Sequence, residues 1–288
     1  MSQAAPPWCN ICSQSGPFLD PDGGREGLVC ANCSASSRQR ALVYALGAWL
    51  GMGHGPLMDW RPIPDLSILE ASGRGAYPRF LADKFRYVNT EFPPAGQTGD
   101  EPFARFADLE HLGYPDATLD VILAADVFEH VRRDDRAFAE ARRVLKPSGA
   151  LLFTVPYDPE RAETLVRVRV EGDADVPLME PEYHGGGGRS LAYRTYGRDL
   201  PDRLRDHGFT VGLWNVEEPA NAITRQRVFL CANGNWIDLG RLVRPIRSAS
   251  RGKARTAPLL PFRLLVVLKY NLRAARQLLA ELRARFGR

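Results

Sequence analysis

The sequence predicts a doubly wound α/β fold with a mostly parallel sheet. Three observations carry that prediction. Short apolar strands alternate with helical segments from Leu66 onward. The run Ala150–Val155 is apolar almost throughout, as a strand covered on both faces must be. Two early strands end in an acid, Glu70 and Glu91, 21 residues apart. Strands alternating with helices form βαβ units, and those assemble a parallel sheet. The chain has 288 residues, 44% apolar and 25% charged, enough to bury a sizeable core and too apolar for global disorder.

Residues 37–50 read as a helix, because Leu42, Ala45, Leu46 and Trp49 recur at three- and four-residue spacing. Gly51, Gly53, Gly55 and Pro56 end it, and a Pro-rich connector follows to residue 65. Leu66–Glu70 is the first strand, 77–84 a helix, and Arg86–Glu91 the second strand. Leu119–Ala125 is the third. Residues 134–145 form an amphipathic helix with Phe138, Ala141, Val144 and Leu145 on one face, stopped by Pro147-Ser148-Gly149. Residues 157–196 break the rhythm, with a short strand at 165–170, the run Glu180-Pro181-Glu182-Tyr183-His184 and the glycines 185–188. A helix over 197–207 and two strands, 209–216 and 225–232, close the domain as an antiparallel pair at the sheet edge.

Four of the five cysteines fall in two pairs, Cys9-x-x-Cys12 and Cys30-x-x-Cys33, with 17 residues between them. Each pair makes a tight knuckle aiming two thiolates at one point, and two knuckles complete a tetrahedral sulfur shell for zinc. Disulfides are the competing use, but they need an oxidising compartment. Residues 1–8 lack the basic and apolar regions of a secretory leader, which favours a cytoplasmic protein. Four ligands fill the shell, so the metal is expected to be structural. Cys231, in the apolar run 228–232, reads as a buried strand thiol.

Ligands of open α/β sheets bind at the carboxyl ends of the strands, where strand order reverses. The first strand ends in Glu70-Ala71-Ser72-Gly73-Arg74-Gly75, a loop whose glycines let backbone approach a ligand. It is neither G-x-G-x-x-G nor a phosphate-binding P-loop. Glu91 stands where nucleotide-binding βαβ units hold a ribose diol. Asp108-Leu109-Glu110, Asp126-Val127-Phe128-Glu129-His130-Val131 and Arg143–Leu152 follow. In this order the segments resemble the class I S-adenosylmethionine (SAM)-dependent methyltransferases of the small-molecule type, over roughly residues 66–232. With the four-cysteine N-terminus they resemble a zinc-ribbon subgroup of that family.

The resemblance implies a Rossmann-like, seven-stranded, mostly parallel sheet with an N-terminal zinc ribbon and a C-terminal amphipathic helix. It divides the chain into a zinc module (1–35), a helix and linker (36–60), a SAM domain (61–238) whose insertion 157–196 covers the substrate side, and a basic appendage (239–288). By the same resemblance Glu70, Ala71, Ser72, Gly73 and Gly75 line the methionine part of SAM. Glu91 takes the ribose hydroxyls, Asp108 the adenine amino group with Leu109 offering backbone, and Ala125 and Asp126 border the methionine end. The family usually has Gly at the second, fourth and sixth positions after the first acid; here these are Ser72, Arg74 and Ala76. The side chain of Arg74 is long enough to reach a substrate or the SAM carboxylate.

SAM carries its own leaving group, so in-line positioning of the acceptor is the protein's main task. A hydroxyl acceptor also needs a base near neutral pH. Of five histidines, His184 in the insertion and His130 after the third strand are the catalytic candidates, with His184 preferred. Tyr183, Tyr193, Arg194 and Tyr196 suit a pocket for a sugar or other hydroxylated acceptor. The expected reaction is O-methylation of a small molecule, glycan or lipid-linked precursor. An RNA methyltransferase and a non-catalytic SAM-fold binding protein are the competing readings.

The near-neutral net charge of +4 hides an asymmetry. Residues 241–288 carry thirteen Lys and Arg against one acid, a net +12, while the other 240 residues sum to −8. On paper 262–286 is an amphipathic helix with Leu265, Leu268, Leu272, Leu279 and Phe286 on one face. Residues 259–288 suit either docking on the body or peripheral contact with an anionic inner-membrane surface. Nucleic acid is the less favoured partner, since few aromatics lie among the basic groups.

Overall fold

The computed structural model describes residues 6–20, 26–53, 55–75, 77–93, 101–102, 104–184 and 190–234. The expected basic appendage and its amphipathic helix lie outside the described residues, as do His54, Ala76 and the glycines 185–188. Among the described residues no helix is long and apolar enough to cross a membrane.

The central sheet has six strands: β1 (Ile63–Ala71), β2 (Phe85–Thr90), β3 (Leu119–Ala125), β4 (Leu145–Thr154), β5 (Thr210–Glu218) and β6 (Ile223–Ala232). Their order is β5-β6-β4-β3-β1-β2. β1 pairs in parallel with β2 and β3, and β3 with β4, while β6 runs antiparallel to both β4 and β5. The doubly wound, mostly parallel sheet and its antiparallel closing pair are thus as expected. Among the described residues the sheet has six strands where the resemblance implied seven; of the short strand expected in the insertion over 165–170, Leu165–Val166 pairs with Arg194–Thr195, and Val168–Glu171 with Ala174–Pro177. A single parallel bridge, Glu91 to Phe106, extends the sheet beyond β2.

The alternation of side chains sorts the apolar residues onto two faces. One face gathers Ile68, Val121, Leu123, Ala150, Leu152, Val228 and Leu230 under helix α1 (Ser37–Leu50). The other gathers Leu69, Ile122, Ala124, Leu151, Phe153 and Phe229 under α3 (Asp134–Val144) and α4 (Leu200–Asp206). The short α2 (Tyr77–Ala82) joins β1 to β2. Cys231 is fully buried on the second face, and burial pushes its thiol pKa well up, as a strand thiol's should be.

α1 starts at a capping box, Ser36 with Gln39, and stops at Gly51 in the left-handed conformation, φ 65°. Three boundaries differ from the sequence reading. β1 begins at Ile63 and β4 at Leu145, so Pro147-Ser148-Gly149 lies inside a strand rather than behind a helix. Lys146 explains part of this, since its Nζ reaches Asp120 Oδ2 at 2.6 Å and ties the start of β4 to β3. α4 begins at Leu200 rather than 197.

The four-cysteine segment is not a separate satellite. Cys9, Cys12, Cys30 and Cys33 belong to the same apolar cluster as α1 and its face of the sheet. Arg40, fully buried, fixes the join. Its guanidinium donates to the carbonyls of Leu28 and Ala35 on one side and of Asn221 and Ala222 on the other. The insertion is tied down as firmly. Arg194 donates to the carbonyls of Phe128, Val131 and Arg132, and Tyr196 Oη to Asp134 Oδ2 at 3.0 Å. Both side chains are buried. They anchor the insertion to the segment after β3. Tyr193 Oη is engaged with Asp175 at 2.8 Å, and Tyr183 is exposed.

Candidate functional site

Strand order reverses between β1 and β3, so their carboxyl ends border the crevice where open sheets bind ligands. The loop after β1 is built around Glu70. Its carboxylate is fully buried and accepts hydrogen bonds from the hydroxyls of Tyr77 and Tyr87. Burial pushes its pKa up to about 7, against the opposing effect of the two phenols. A Cβ at Gly73 would lie 2.7 Å from the Glu70 carboxyl carbon. Glycine is therefore required at 73, where the chain crosses over the acid, and Ser72 takes the left-handed turn itself at φ 58°. Asn89 at the end of β2 clamps this crossing, accepting from Gly73 N and donating to Gly73 O, both at 2.8 Å. The displaced glycines thus follow from what packs beneath the loop. Glu70 supports the loop from below instead of facing the crevice, a correction to its expected place along a ligand.

The other expected residues are distributed along the same edge. Ala71 closes β1, and Gly75 takes φ 81° beside Gln39, whose Nε2 donates to the Arg74 carbonyl at 3.1 Å. Arg74 itself is exposed. Ala125 ends β3, and Asp126 follows at φ 54°, accepting from Thr154 Oγ1 at 2.8 Å. Glu91 is exposed just past β2, with Arg105 at 3.3 Å. The bridge to Phe106 brings Asp108 into the same neighbourhood, its Oδ1 accepting from Glu110 N at 2.9 Å. Leu109 is buried.

The two candidate histidines do come together. Their ring centroids are 5.2 Å apart and nearly perpendicular, at 83°. His130 Nδ1 lies 2.9 Å from the Leu191 carbonyl. That contact requires a proton on Nδ1 and leaves Nε2 as the acceptor when the ring is neutral. His184 Nε2 lies 2.6 Å from Glu182 Oε1, and its Nδ1 faces Glu129 Oε1 at 3.9 Å. The two carboxylates, Glu129 first, raise the His184 pKa to about 9. That shift favours the protonated His184 ring, whereas the Nδ1 contact of His130 leaves its Nε2 as the acceptor in the neutral ring.

The four cysteine sulfurs form a second cluster. Cys9 and Cys33 Sγ are 3.7 Å apart, Cys12 and Cys30 Sγ 3.8 Å. These are not disulfide distances. Zinc bound at about 2.3 Å to four thiolates sets the sulfurs about 3.8 Å apart, so the residues fit the metal.

Three polar residues escaped the sequence reading. Arg38, in the first turn of α1, pairs with Asp126 at 2.8 Å and with Glu26, and so ties α1 to the end of β3. Asn89 clamps the loop. Glu129, inside the DVFEHV run, is fully buried and has no hydrogen-bond partner for either oxygen. Glu129 was visible in that motif, but nothing in the sequence shows which way its side chain points.

Residues 71–153 match the family model described as a methyltransferase domain. A malonyl-[acyl-carrier protein] O-methyltransferase of Geobacter sulfurreducens is 31% identical over 139 residues, which is 44% of this chain and 49% of that protein. The chain thus matches about half the length of this curated relative. Distant likenesses include the 1,6-didemethyltoxoflavin-N1-methyltransferase of Burkholderia thailandensis (18% identity, 69% and 79% of the two chains, TM-score 0.41). Another is an S-adenosylmethionine-dependent methyltransferase of Mesorhizobium loti (13% identity, 68% and 96%, TM-score 0.40). The sheet-bearing part of this chain is therefore similar to methyltransferases, with the family match confined to residues 71–153.

Proposed function

We propose that the chain transfers the methyl group of SAM to a hydroxyl of a small-molecule, sugar, glycan or lipid-linked acceptor. The observation that carries this reading is the crevice at the strand-order reversal, inside the segment that matches the methyltransferase family. Main chain of Ser72–Gly75 borders it on one side, and Ala125 and Asp126 on the other. In this reading Glu91 holds the ribose hydroxyls, and Asp108 the adenine amino group beside the Leu109 backbone. Ser72, Gly73 and Gly75 receive the methionine part. The relative named an O-methyltransferase supports oxygen as the acceptor atom.

SAM supplies an electrophilic methyl carbon and leaves as a neutral thioether. This chain's residues orient the acceptor in line, exclude water and remove the hydroxyl proton. His130 Nε2 is the proton acceptor of the cluster, and His184, held between Glu129 and Glu182, positions it. The insertion 157–196 covers the acceptor side, through the anchoring of Arg194 and Tyr196. In the same reading residues 1–35 form the metal-held module, 36–60 a helix and linker, 61–238 the transferase domain, and 239–288 an appendage for an anionic surface. Cys9, Cys12, Cys30 and Cys33 would hold a structural zinc, which supplies a cross-link at one end of the core and leaves no open coordination position.

Mass spectrometry of the purified full chain after denaturation tests the reading. SAM or its demethylated product should be released, and Glu91→Ala should reduce the yield. Absence of both from folded protein, together with no methyl incorporation from SAM into any hydroxylated acceptor panel, would overturn it.

A further inference from the structure

We infer that Glu129, His130 and His184 form a second metal site, for a divalent transition-metal ion, separate from the four-cysteine cluster. Among the described residues, these three and the four cysteines are the two groups whose potential ligand atoms converge, within 4.8 Å of one another. The carboxylate of Glu129 is wholly buried, and neither oxygen has a hydrogen-bond partner. A buried carboxylate left that way is costly, and a cation between it and its neighbours removes the cost.

The neighbours are suited to that role. His130 Nε2 is 3.7 Å and His184 Nδ1 3.9 Å from the same oxygen, Glu129 Oε1. Ligand atoms about 2.1 Å from one ion lie about 3.0–3.4 Å apart, so a contraction of about half an ångström brings each imidazole nitrogen to ligand spacing from Glu129 Oε1. The far side of each ring is already engaged as a ligating imidazole requires. His130 Nδ1 donates to the Leu191 carbonyl, and His184 Nε2 meets the carboxylate of Glu182. Glu182 is in turn fixed by Arg167 at 2.5 Å. Such outer contacts set the tautomer and aim the lone pair at the metal.

Two imidazoles and one carboxylate on one side of an ion leave positions open for an acceptor and water. The set joins the segment after β3 to the insertion, so the ion would lie between the sheet edge and its cover. With the ion bound, the His130 Nε2 lone pair is taken by the metal, so an acceptor hydroxyl bound there would be acidified by the metal in place of His130 acting as base. The site itself rests on the three side chains and not on the methyltransferase reading.

The test is metal stoichiometry of the full chain with Co²⁺ as probe. Four thiolates give cobalt intense sulfur charge-transfer absorption, whereas two imidazoles and a carboxylate give only weak ligand-field bands. Wild type should take up two equivalents, the second without new charge-transfer absorption. Glu129→Gln and His184→Ala should each bind one. His184 is 31% exposed, so its variant keeps the fold even where Glu129→Gln does not. Glu182→Gln should weaken the second equivalent by about ten- to a hundred-fold. Uptake of a single, thiolate-bound equivalent by wild type would overturn the proposal, as would a second equivalent that persists in folded His184→Ala. Both readouts are independent of methyl transfer, so the site can fail while the methyltransferase reading stands, and the reverse.

Discussion

Glu70 sits fully buried between two tyrosine hydroxyls, under a loop that can cross it only through glycine. Its pKa, pushed up to about 7, sets a pH dependence. The folded chain holds this proton more tightly than the unfolded one. Stability from it is present below the ordinary glutamate range and is lost as pH rises through about 7. Urea melts at about pH 5 and about pH 8 should therefore show a larger midpoint at the lower pH, and Glu70→Gln should flatten the difference. An unchanged slope in that variant would remove Glu70 from the account. Gly73→Ala puts a methyl group 2.7 Å from the Glu70 carboxyl carbon and 2.9 Å from Asn89 Oδ1. It should cost about 1–3 kcal/mol and deform the loop, read as a lower melting temperature and weaker cofactor binding. The sequence showed that this loop departs from the glycine spacing of the family it resembles. It did not show why, because the reason is a long-range contact between Gly73, Glu70 and Asn89.

At the scale of elements, the strands and helices that carry the fold were readable from periodicity, since each buries one consistent face. β1, β3 and β4 alternate their apolar residues between two clusters, and α1 and α3 present one apolar side each. The insertion was not readable in the same way. Its short strands pair with one another, and its hold on the body runs through buried polar side chains. Tyr196 and Arg194 look in sequence like pocket residues and are anchors. Arg194 serves three carbonyls of the turn after β3, which holds Glu129 and His130. Arg194→Lys should not rescue what Arg194→Ala loses, because an ammonium cannot span three acceptors in one plane. Both variants should lose at least about 2 kcal/mol of stability, measured by denaturant unfolding, and should raise KM for the acceptor more than for SAM. An Arg194→Lys protein of wild-type stability would contradict the anchoring role.

For the whole molecule, the four-cysteine segment shares a core with the sheet instead of hanging beside it. Arg40 binds carbonyls on both sides of the join, and Arg38 carries the same helix to Asp126 at the crevice. Removing the proposed zinc with a strong chelator, or Cys9→Ser, should therefore lower the unfolding temperature of the chain in one transition. Two separated transitions, the main one unmoved, would show that the module is independent. Spacing announced the metal shell; the shared core depends on which face of α1 meets which strands and on a single buried arginine, neither of which periodicity reveals. The crevice between β1 and β3 is proposed as a SAM site, and calorimetric titration of the full chain with S-adenosylhomocysteine tests it. Saturable heat from one site per chain is expected, greatly weakened by Glu91→Ala with the fold intact; no heat from folded wild-type protein would overturn the assignment.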